Sequence, residues 1–200
     1  MKTAFRISLA LILACFATTA TSALTTFSFM GTVTDDPFGL SSFGAAISGT
    51  YSFDSAAVDA IADPVSGSYT STGAGLGFAV TVDGIPFSVS GNLNVGVVNA
   101  LPDQYLITAI QGPLTLELVL EDASGTALST DALPVTPPAI AQFAFRQFRL
   151  FAPSAEFAGT VDTLGVVPEP ETVLLLIVGW ASVVLRQWHP RRRRREGNGI

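Results

Sequence analysis

Two glutamates on one segment are the candidates for acid–base chemistry. Glu117 and Glu121 lie four residues apart in a run that alternates apolar and polar residues. Paired carboxylates can hydrolyse a glycosidic bond, one as the acid and the other as base or nucleophile. Residues 24–165 contain no His, Cys or Lys, which excludes Ser-His-Asp, Cys-His and Ser-Lys nucleophile systems and His- or Cys-ligated zinc. Because both glutamates fall on the polar side of one strand, we expect a solvated face and no enzyme activity.

Five aspartates in two loop regions are the candidates for binding a metal ion. They are Asp35, Asp36, Asp54, Asp59 and Asp63. Carboxylate oxygens are the ligands that Ca²⁺ prefers. No loop has the regular Asp-x-Asp-x-Asp-Gly spacing of a calcium loop. We therefore expect solubilising turn acids and no cofactor, with a weak calcium site as the alternative.

The charge of the central segment restricts its partners. Residues 24–165 hold ten Asp and three Glu against two bases, Arg146 and Arg149. Phosphate contacts need Lys and Arg, so nucleic acid is excluded as a partner. A polysaccharide-binding face would need exposed aromatic rings, and Tyr51, Tyr69 and Tyr105 are the amphipathic candidates. Alternation places Tyr51 with the core, so polysaccharide binding stays an alternative.

The elements that would position these residues are β-strands. Apolar residues at 47–53 and 114–120 recur at every second position, as expected of half-buried strands. Asp83-Gly84 joins two such runs, 78–82 and 85–89, which predicts a hairpin. Further strands are expected at Thr26–Val33, Leu93–Val98, Tyr105–Ile110, Phe143–Phe151 (with a bulge between Phe145 and Phe148) and Glu156–Leu164.

Nine or ten short strands within residues 24–165 predict one all-β domain, an antiparallel β-sandwich or jelly roll. The longest expected loop is Ser129–Ile140, where prolines disfavour a central strand.

The N-terminus has the layout of a secretory signal peptide. Lys2 and Arg6 precede the apolar run Ile7–Phe16, and small polar residues follow as far as Ala23. The run is too short for a membrane anchor. We expect a signal helix within residues 1–23, cleaved by signal peptidase after Ala23. An uncleaved anchor and lipid attachment at Cys15 are the alternatives.

The C-terminus combines three features within 35 residues. A linker, 166–171, contains Pro168, Glu169 and Pro170, and the apolar segment 172–188 predicts a short transmembrane helix. The basic segment 189–200 carries five consecutive arginines: Arg191, Arg192, Arg193, Arg194 and Arg195. Positive charge beside an apolar span stays cytoplasmic. This predicts an exported precursor held in the inner membrane, with its domain in the periplasm and its C-terminus in the cytoplasm.

Pro168-Glu169-Pro170, Val173–Leu185 and Arg191–Arg195 together resemble the PEP-CTERM sorting signal of Gram-negative bacteria. The resemblance implies that exosortase processes the chain near the motif after a transient stay in the inner membrane. It also implies delivery to the cell surface or to an exopolysaccharide-containing biofilm matrix. Glu171, the residues 187–190 before the arginines and the trailing residues 196–200 depart from the family pattern.

The predicted function is accordingly that of an exported surface or matrix protein with a structural or interaction role. A polysaccharide- or calcium-binding module is the alternative, and a carboxylate-based glycan-active enzyme is the third hypothesis.

Overall fold

The computed structural model describes residues 24–168, which form eight antiparallel β-strands. The strands are β1 (Leu24–Asp35), β2 (Ala46–Asp54), β3 (Ser66–Val82), β4 (Ile85–Val98), β5 (Asp103–Gln111), β6 (Leu114–Asp122), β7 (Phe145–Ala152) and β8 (Ala155–Val166). A short 3₁₀-helix, Ile140–Gln142, lies in the connection between β6 and β7.

The strands close into an up-and-down barrel. Each strand pairs with the next along the chain, and β8 pairs with β1, from Phe27 opposite Val166 to Asp35 opposite Ala158. The antiparallel all-β class was expected, but the predicted β-sandwich or jelly roll is wrong. A sandwich keeps two separate sheets, whereas the pairing of β1 with β8 joins the two ends of one sheet.

β3 and β4 are longer than the sequence predicted, because a glycine-rich bulge lets both continue. Thr72 pairs with Asn92 and Gly77 with Ser90, so four residues of β3 stand opposite Gly91 alone. Gly73 and Gly77 have φ values of 137° and 147°, which a residue with a Cβ rarely adopts. The bulge therefore converts several predicted short strands into one bent pair, and the count is eight rather than nine or ten.

The predicted hairpin at Asp83-Gly84 is confirmed, and the predicted bulge in β7 is wrong. Asp83 and Gly84 both have positive φ, 50° and 82°, as a type I′ turn requires. β7 pairs with β6 without a register shift. The change of phase that indicated a bulge arises because Phe145 is a surface residue, whereas Phe148 lies in the core.

The predicted flanking helices fall outside the described residues. Residues 1–23 and 172–188 are not among them. Between residues 24 and 168, no helix is long and apolar enough to cross a membrane, since the chain there is committed to strands with a period of two. The described residues thus contain no anchor of the kind expected for an inner-membrane precursor, and the segment expected to form it, 172–188, lies outside them.

The interior of the barrel is filled by aromatic and aliphatic side chains. Phe29 and Phe78 meet edge to face at 5.6 Å between ring centroids, and Phe148 lies 6.1 Å from Phe78. Tyr51 and Tyr105 are fully buried and share a hydrogen bond of 3.2 Å between their hydroxyls. Burial raises the pKa of both phenols well above the ordinary value, so both stay neutral. Eight strands enclose just enough space for side chains to fill, and the barrel is built as a packed core.

The barrel has two ends that differ in their connections. At the hairpin end lie the connections 36–45, 83–84, 112–113 and 153–154. At the terminal end lie the connections 55–65, 99–102 and 123–144, together with Leu24 and Val166. A strand of nine residues spans about 30 Å at 3.3 Å per residue, so residues at opposite ends cannot share one small site.

Candidate functional site

The two glutamates proposed for glycoside chemistry lie on the outer face of β6. Glu117 forms an ion pair with Arg149 across to β7, at 3.7 Å, and Glu121 accepts a hydrogen bond of 3.1 Å from Gln104. Four residues of strand separate their Cα atoms by about 13 Å, whereas glycosidase carboxyls lie roughly 5–9.5 Å apart. The two glutamates therefore take part in separate surface contacts and do not have the separation of a glycosidase pair.

The five aspartates proposed for calcium divide between the two ends of the barrel. Asp35 and Asp36 lie at the hairpin end, while Asp54, Asp59 and Asp63 lie at the terminal end. Within the described part of the chain, no group of three or more His, Cys, Asp or Glu side chains is arranged to hold a metal ion.

The aspartates at the terminal end hold turns. The carboxylates of Asp54 and Asp63 accept hydrogen bonds from the backbone N–H groups two residues ahead, at 2.9 and 3.0 Å. Asp59 accepts 2.9 Å bonds from the N–H groups of Ile61 and Ser68. Such bonds are typical of aspartate in turns.

Asp36 organises the connection 36–45 at the hairpin end. Its carboxylate accepts hydrogen bonds from the N–H groups of Phe38, Gly39 and Ser41. Desolvation raises the pKa of Asp36, but these backbone bonds outweigh it, and the net pKa lies below the ordinary value. The connection is therefore a defined turn held by an ionised side chain.

This connection carries an exposed apolar surface that the sequence analysis missed. Phe38, Leu40 and Phe43 project from it, and Phe43 is 84% exposed. We call these three residues the apolar loop. Ile85, Ile110 and Phe151 add exposed apolar side chains at the same end of the barrel. A signal was present: three large apolar residues stand within a Gly- and Ser-rich stretch that belongs to neither flanking strand.

The tyrosines proposed for a polysaccharide-binding face are buried. Tyr51 and Tyr105 pair with each other in the core, and Tyr69 donates a hydrogen bond of 3.0 Å to the backbone oxygen of Asp131. The exposed aromatic rings are phenylalanines instead, and three of them, Phe38, Phe43 and Phe151, lie at the hairpin end.

A shallow groove of about 570 Å³ runs across the outer wall of β1 to β4. Its polar lining is made of hydroxyl groups, and none of its lining residues is charged. The hydroxyl-bearing residues are Ser28, Ser48, Thr50, Thr81 and Ser88. Such a surface can form hydrogen bonds with a neutral ligand but has no charge to orient one.

A second feature that the sequence analysis missed is a pair of buried aspartates at the terminal end, Asp103 and Asp122. They stand directly opposite each other on β5 and β6. Both are in phase with inward-facing residues, Asp103 with Tyr105 and Asp122 with Leu120. Acids in phase with a core are the pattern that could have revealed them.

Most of the predicted sorting signal lies outside the described residues. Pro168 is described and exposed, whereas Glu169, Pro170 and the arginines 191–195 are not described, nor is Ala23 at the predicted cleavage site.

No protein-family model, curated protein or solved structure matches this chain.

Proposed function

We propose that this chain is an exported, non-catalytic protein of the cell surface or extracellular matrix, with a structural or interaction role. We propose further that Pro168-Glu169-Pro170 belongs to a PEP-CTERM sorting signal that exosortase processes. The barrel is the part delivered, and the signals at both chain ends are removed.

The observation that carries this proposal is where the barrel begins and ends. β1 starts at Leu24, directly after the predicted cleavage at Ala23, and β8 ends at Val166, two residues before Pro168. Cleavage at both predicted points would therefore leave the eight strands of the described residues intact. Both chain ends also leave the barrel at the terminal end, so processing there leaves the hairpin end untouched.

The interaction role is supported by the apolar loop. Its side chains are exposed, yet Asp36 fixes their backbone through hydrogen bonds to Phe38, Gly39 and Ser41. Rigid aromatic side chains on an ordered turn provide contact area at a low cost in conformational entropy. A packed barrel that holds such a turn about 30 Å from its terminal end is suited to presenting it to a partner.

Polysaccharide binding is a second candidate role, and the exposed phenylalanines favour it. Phe38, Phe43 and Phe151 supply aromatic faces at the hairpin end, and the neutral groove on β1–β4 supplies hydroxyl groups. The acids that adjoin this end, Asp35 and Asp36, would repel an anionic polymer, so a neutral glycan fits better than a charged one.

Processing is tested by the intact mass of the mature protein isolated from the cells that produce it. We expect a product that begins at Leu24 and ends near Pro170. Replacing Glu169 by alanine is expected to leave the segment after residue 170 attached. A wild-type mass that includes the arginines 191–195 would show that the tail is retained and would contradict the proposed signal.

The interaction role is tested on the exopolysaccharide of the same cells, immobilised and probed with the purified chain. We expect Phe43→Ser to weaken retention roughly tenfold, since truncating an anchor at an interface costs on the order of 1–2 kcal/mol.

Val58→Ser is the matched control, because Val58 is also 84% exposed but lies at the terminal end. It should bind as the wild type does. Equal losses in both variants would indicate nonspecific adhesion of apolar side chains. If the wild type is not retained, polysaccharide binding is excluded and the structural role remains the proposal.

A further inference from the structure

Asp103 and Asp122 place two carboxyl groups side by side inside the terminal end of the barrel. They are opposite each other in the first residue pair of β5 and β6. Asp103 is 0% exposed and Asp122 is 6% exposed. Like charges directly opposite each other on neighbouring strands are destabilising, and burial makes each charge more costly still. The negative charges of this pair must therefore be stabilised by hydrogen-bond donors or positive charge nearby.

Asp122 receives that stabilisation from the chain that follows it. Its carboxylate accepts hydrogen bonds from the backbone N–H groups of Ser124, Thr126 and Ala127 and from the hydroxyls of Ser124 and Thr126. The bond from the Ser124 hydroxyl contributes most, and together these bonds hold the pKa of Asp122 well below its usual range. Asp122 is accordingly a carboxylate anion at neutral pH.

Only one of the two carboxylate oxygens of Asp103 has a hydrogen-bond donor. Its Oδ2 accepts a hydrogen bond of 2.8 Å from the N–H of Leu128, but its Oδ1 is buried without any hydrogen-bond partner among the described residues. Burying a carboxylate oxygen without a donor is unfavourable, because the oxygen loses its hydrogen bonds to water and gains none in return.

The described part of the chain supplies no positive charge to this pair. Its ion pair joins Arg149 to Glu117 on the outer face of β6 and β7. Arg146 stands opposite Leu120, one inward position from Asp122, but its guanidinium forms no ion pair with either aspartate at 4.0 Å or less. Among the described residues, therefore, no cation neutralises the pair.

Two irregular connections adjoin the pair and pack against each other. The connection 99–102 leads into Asp103, and the connection 123–144 leaves from Asp122. They pack closely: a Cβ on Gly125 would lie 2.9 Å from the backbone oxygen of Ala100. Asn99 holds them together, with its amide nitrogen donating to the Leu128 oxygen at 3.1 Å and its oxygen accepting from the Thr130 N–H at 3.2 Å.

We propose that Asp103 and Asp122 form a binding site for a hard divalent cation of the Ca²⁺ type, completed by oxygens of the connections 99–102 and 123–144. Ca²⁺ takes carboxylate, carbonyl and water oxygens in irregular geometry, whereas Mg²⁺ demands a regular octahedron. The site differs from the five aspartates that the sequence indicated, and it depends neither on the sorting signal nor on the apolar loop.

The affinity should be that of an extracellular calcium module with few carboxylates, a Kd of about 10⁻⁴–10⁻³ M. The bound ion would join β5, β6 and the long connection 123–144, which Asp103 already holds through Leu128. Unfolding would release it, so the ion stabilises the fold by mass action.

The test is calorimetric titration of CaCl₂ into the purified, chelator-treated chain, together with its thermal unfolding in CaCl₂ and in EDTA. We expect one Ca²⁺ per chain and weaker binding of Mg²⁺. Tm should rise by roughly 5 °C or more when Ca²⁺ is about 100 times Kd. The absence of both binding heat and a Tm shift in the wild type would overturn the proposal.

Asp103→Asn locates the site, because it keeps the shape and an oxygen for the Leu128 N–H while removing the charge. We expect it to lose the Ca²⁺-dependent rise in Tm and to be at least as stable as the wild type in EDTA. Asp63→Asn is the control, since Asp63 is an exposed turn acid at the same end, and it should keep the full response. Retention of the Ca²⁺ response by Asp103→Asn would overturn the proposal, as would its loss in Asp63→Asn. If Asp103→Asn does not fold, Asp103→Ser and the wild-type titration decide the question.

Discussion

Replacing Gly31 by alanine is expected to destabilise the barrel by about 3 kcal/mol or more. Gly31 lies in β1 at the point where its register with β8 shifts, between Met30 and Gly31. A Cβ at this position would overlap the backbone oxygen of Thr160. Relief of the overlap requires β8 to move away from β1. That movement would break hydrogen bonds of the seam that closes the barrel, because a closed sheet has no free edge on which to relax.

Gly96→Ala in β4 is the matched control. A Cβ there would meet only Leu106, at 3.6 Å or more, which is ordinary van der Waals contact. The change should leave stability the same or raise it by about 0.4–1 kcal/mol, since alanine restricts the unfolded chain. Urea unfolding followed by circular dichroism measures both variants. Equal midpoints for Gly31→Ala and the wild type would show that the seam between β1 and β8 is looser than the structure has it.

Replacing Phe78 by alanine is expected to cost about 3–5 kcal/mol of unfolding free energy. Phe78 is 1% exposed, and its ring centroid lies 5.6 Å from that of Phe29, 5.9 Å from Tyr51 and 6.1 Å from Phe148. These rings come from four strands, β1, β2, β3 and β7. Removing one leaves a cavity in the middle of the barrel, and strands already joined to two neighbours cannot close in to fill it.

Phe43→Ala tests the same chemical change outside the core. Phe43 is 84% exposed on the apolar loop, so stability should change by no more than about 0.5 kcal/mol. Thermal and urea unfolding of the two variants in parallel separate the core from the interaction surface. A loss for Phe43→Ala as large as that for Phe78→Ala would mean that the apolar loop packs against the barrel and is not free to bind a partner.

The candidate sites show which properties of a site can be predicted from residue types and spacing. The absence of His, Cys and Lys between residues 24 and 165 restricted the chemistry directly, because it depends on composition alone. The roles of individual acids depended on their neighbours. The carboxylates of Asp59 and Asp63 hold turns, whereas that of Asp103 is buried with an unsatisfied oxygen. Its phase with Tyr105 was visible in the sequence, but the lack of a partner is a property of the folded structure.

The exposure of the apolar loop could not be predicted from alternation, for a different reason. Phe38, Leu40 and Phe43 are residues that normally fill a core, and alternation cannot tell a buried phenylalanine from an exposed one in a connection. In the structure they are exposed on a turn whose backbone Asp36 holds through bonds from Phe38, Gly39 and Ser41. Phe145 shows the same ambiguity within a strand, where its outward position was taken for a bulge.

The sequence by itself determined the antiparallel all-β class, the buried side of runs such as 47–53 and 114–120, and the hairpin at Asp83-Gly84. These features depend on contacts between residues that are close in the chain and on the dihedral angles of single residues. Only the tertiary structure decided that the sheet is a closed barrel of eight strands. A sandwich and a barrel bury one face of each strand in the same alternating pattern. Closure depends instead on the pairing of β1 with β8, which lie more than 120 residues apart in the chain. It also depends on glycines that set the curvature and register of the sheet, at the bulge 73–77 and at the tight contact of Gly31.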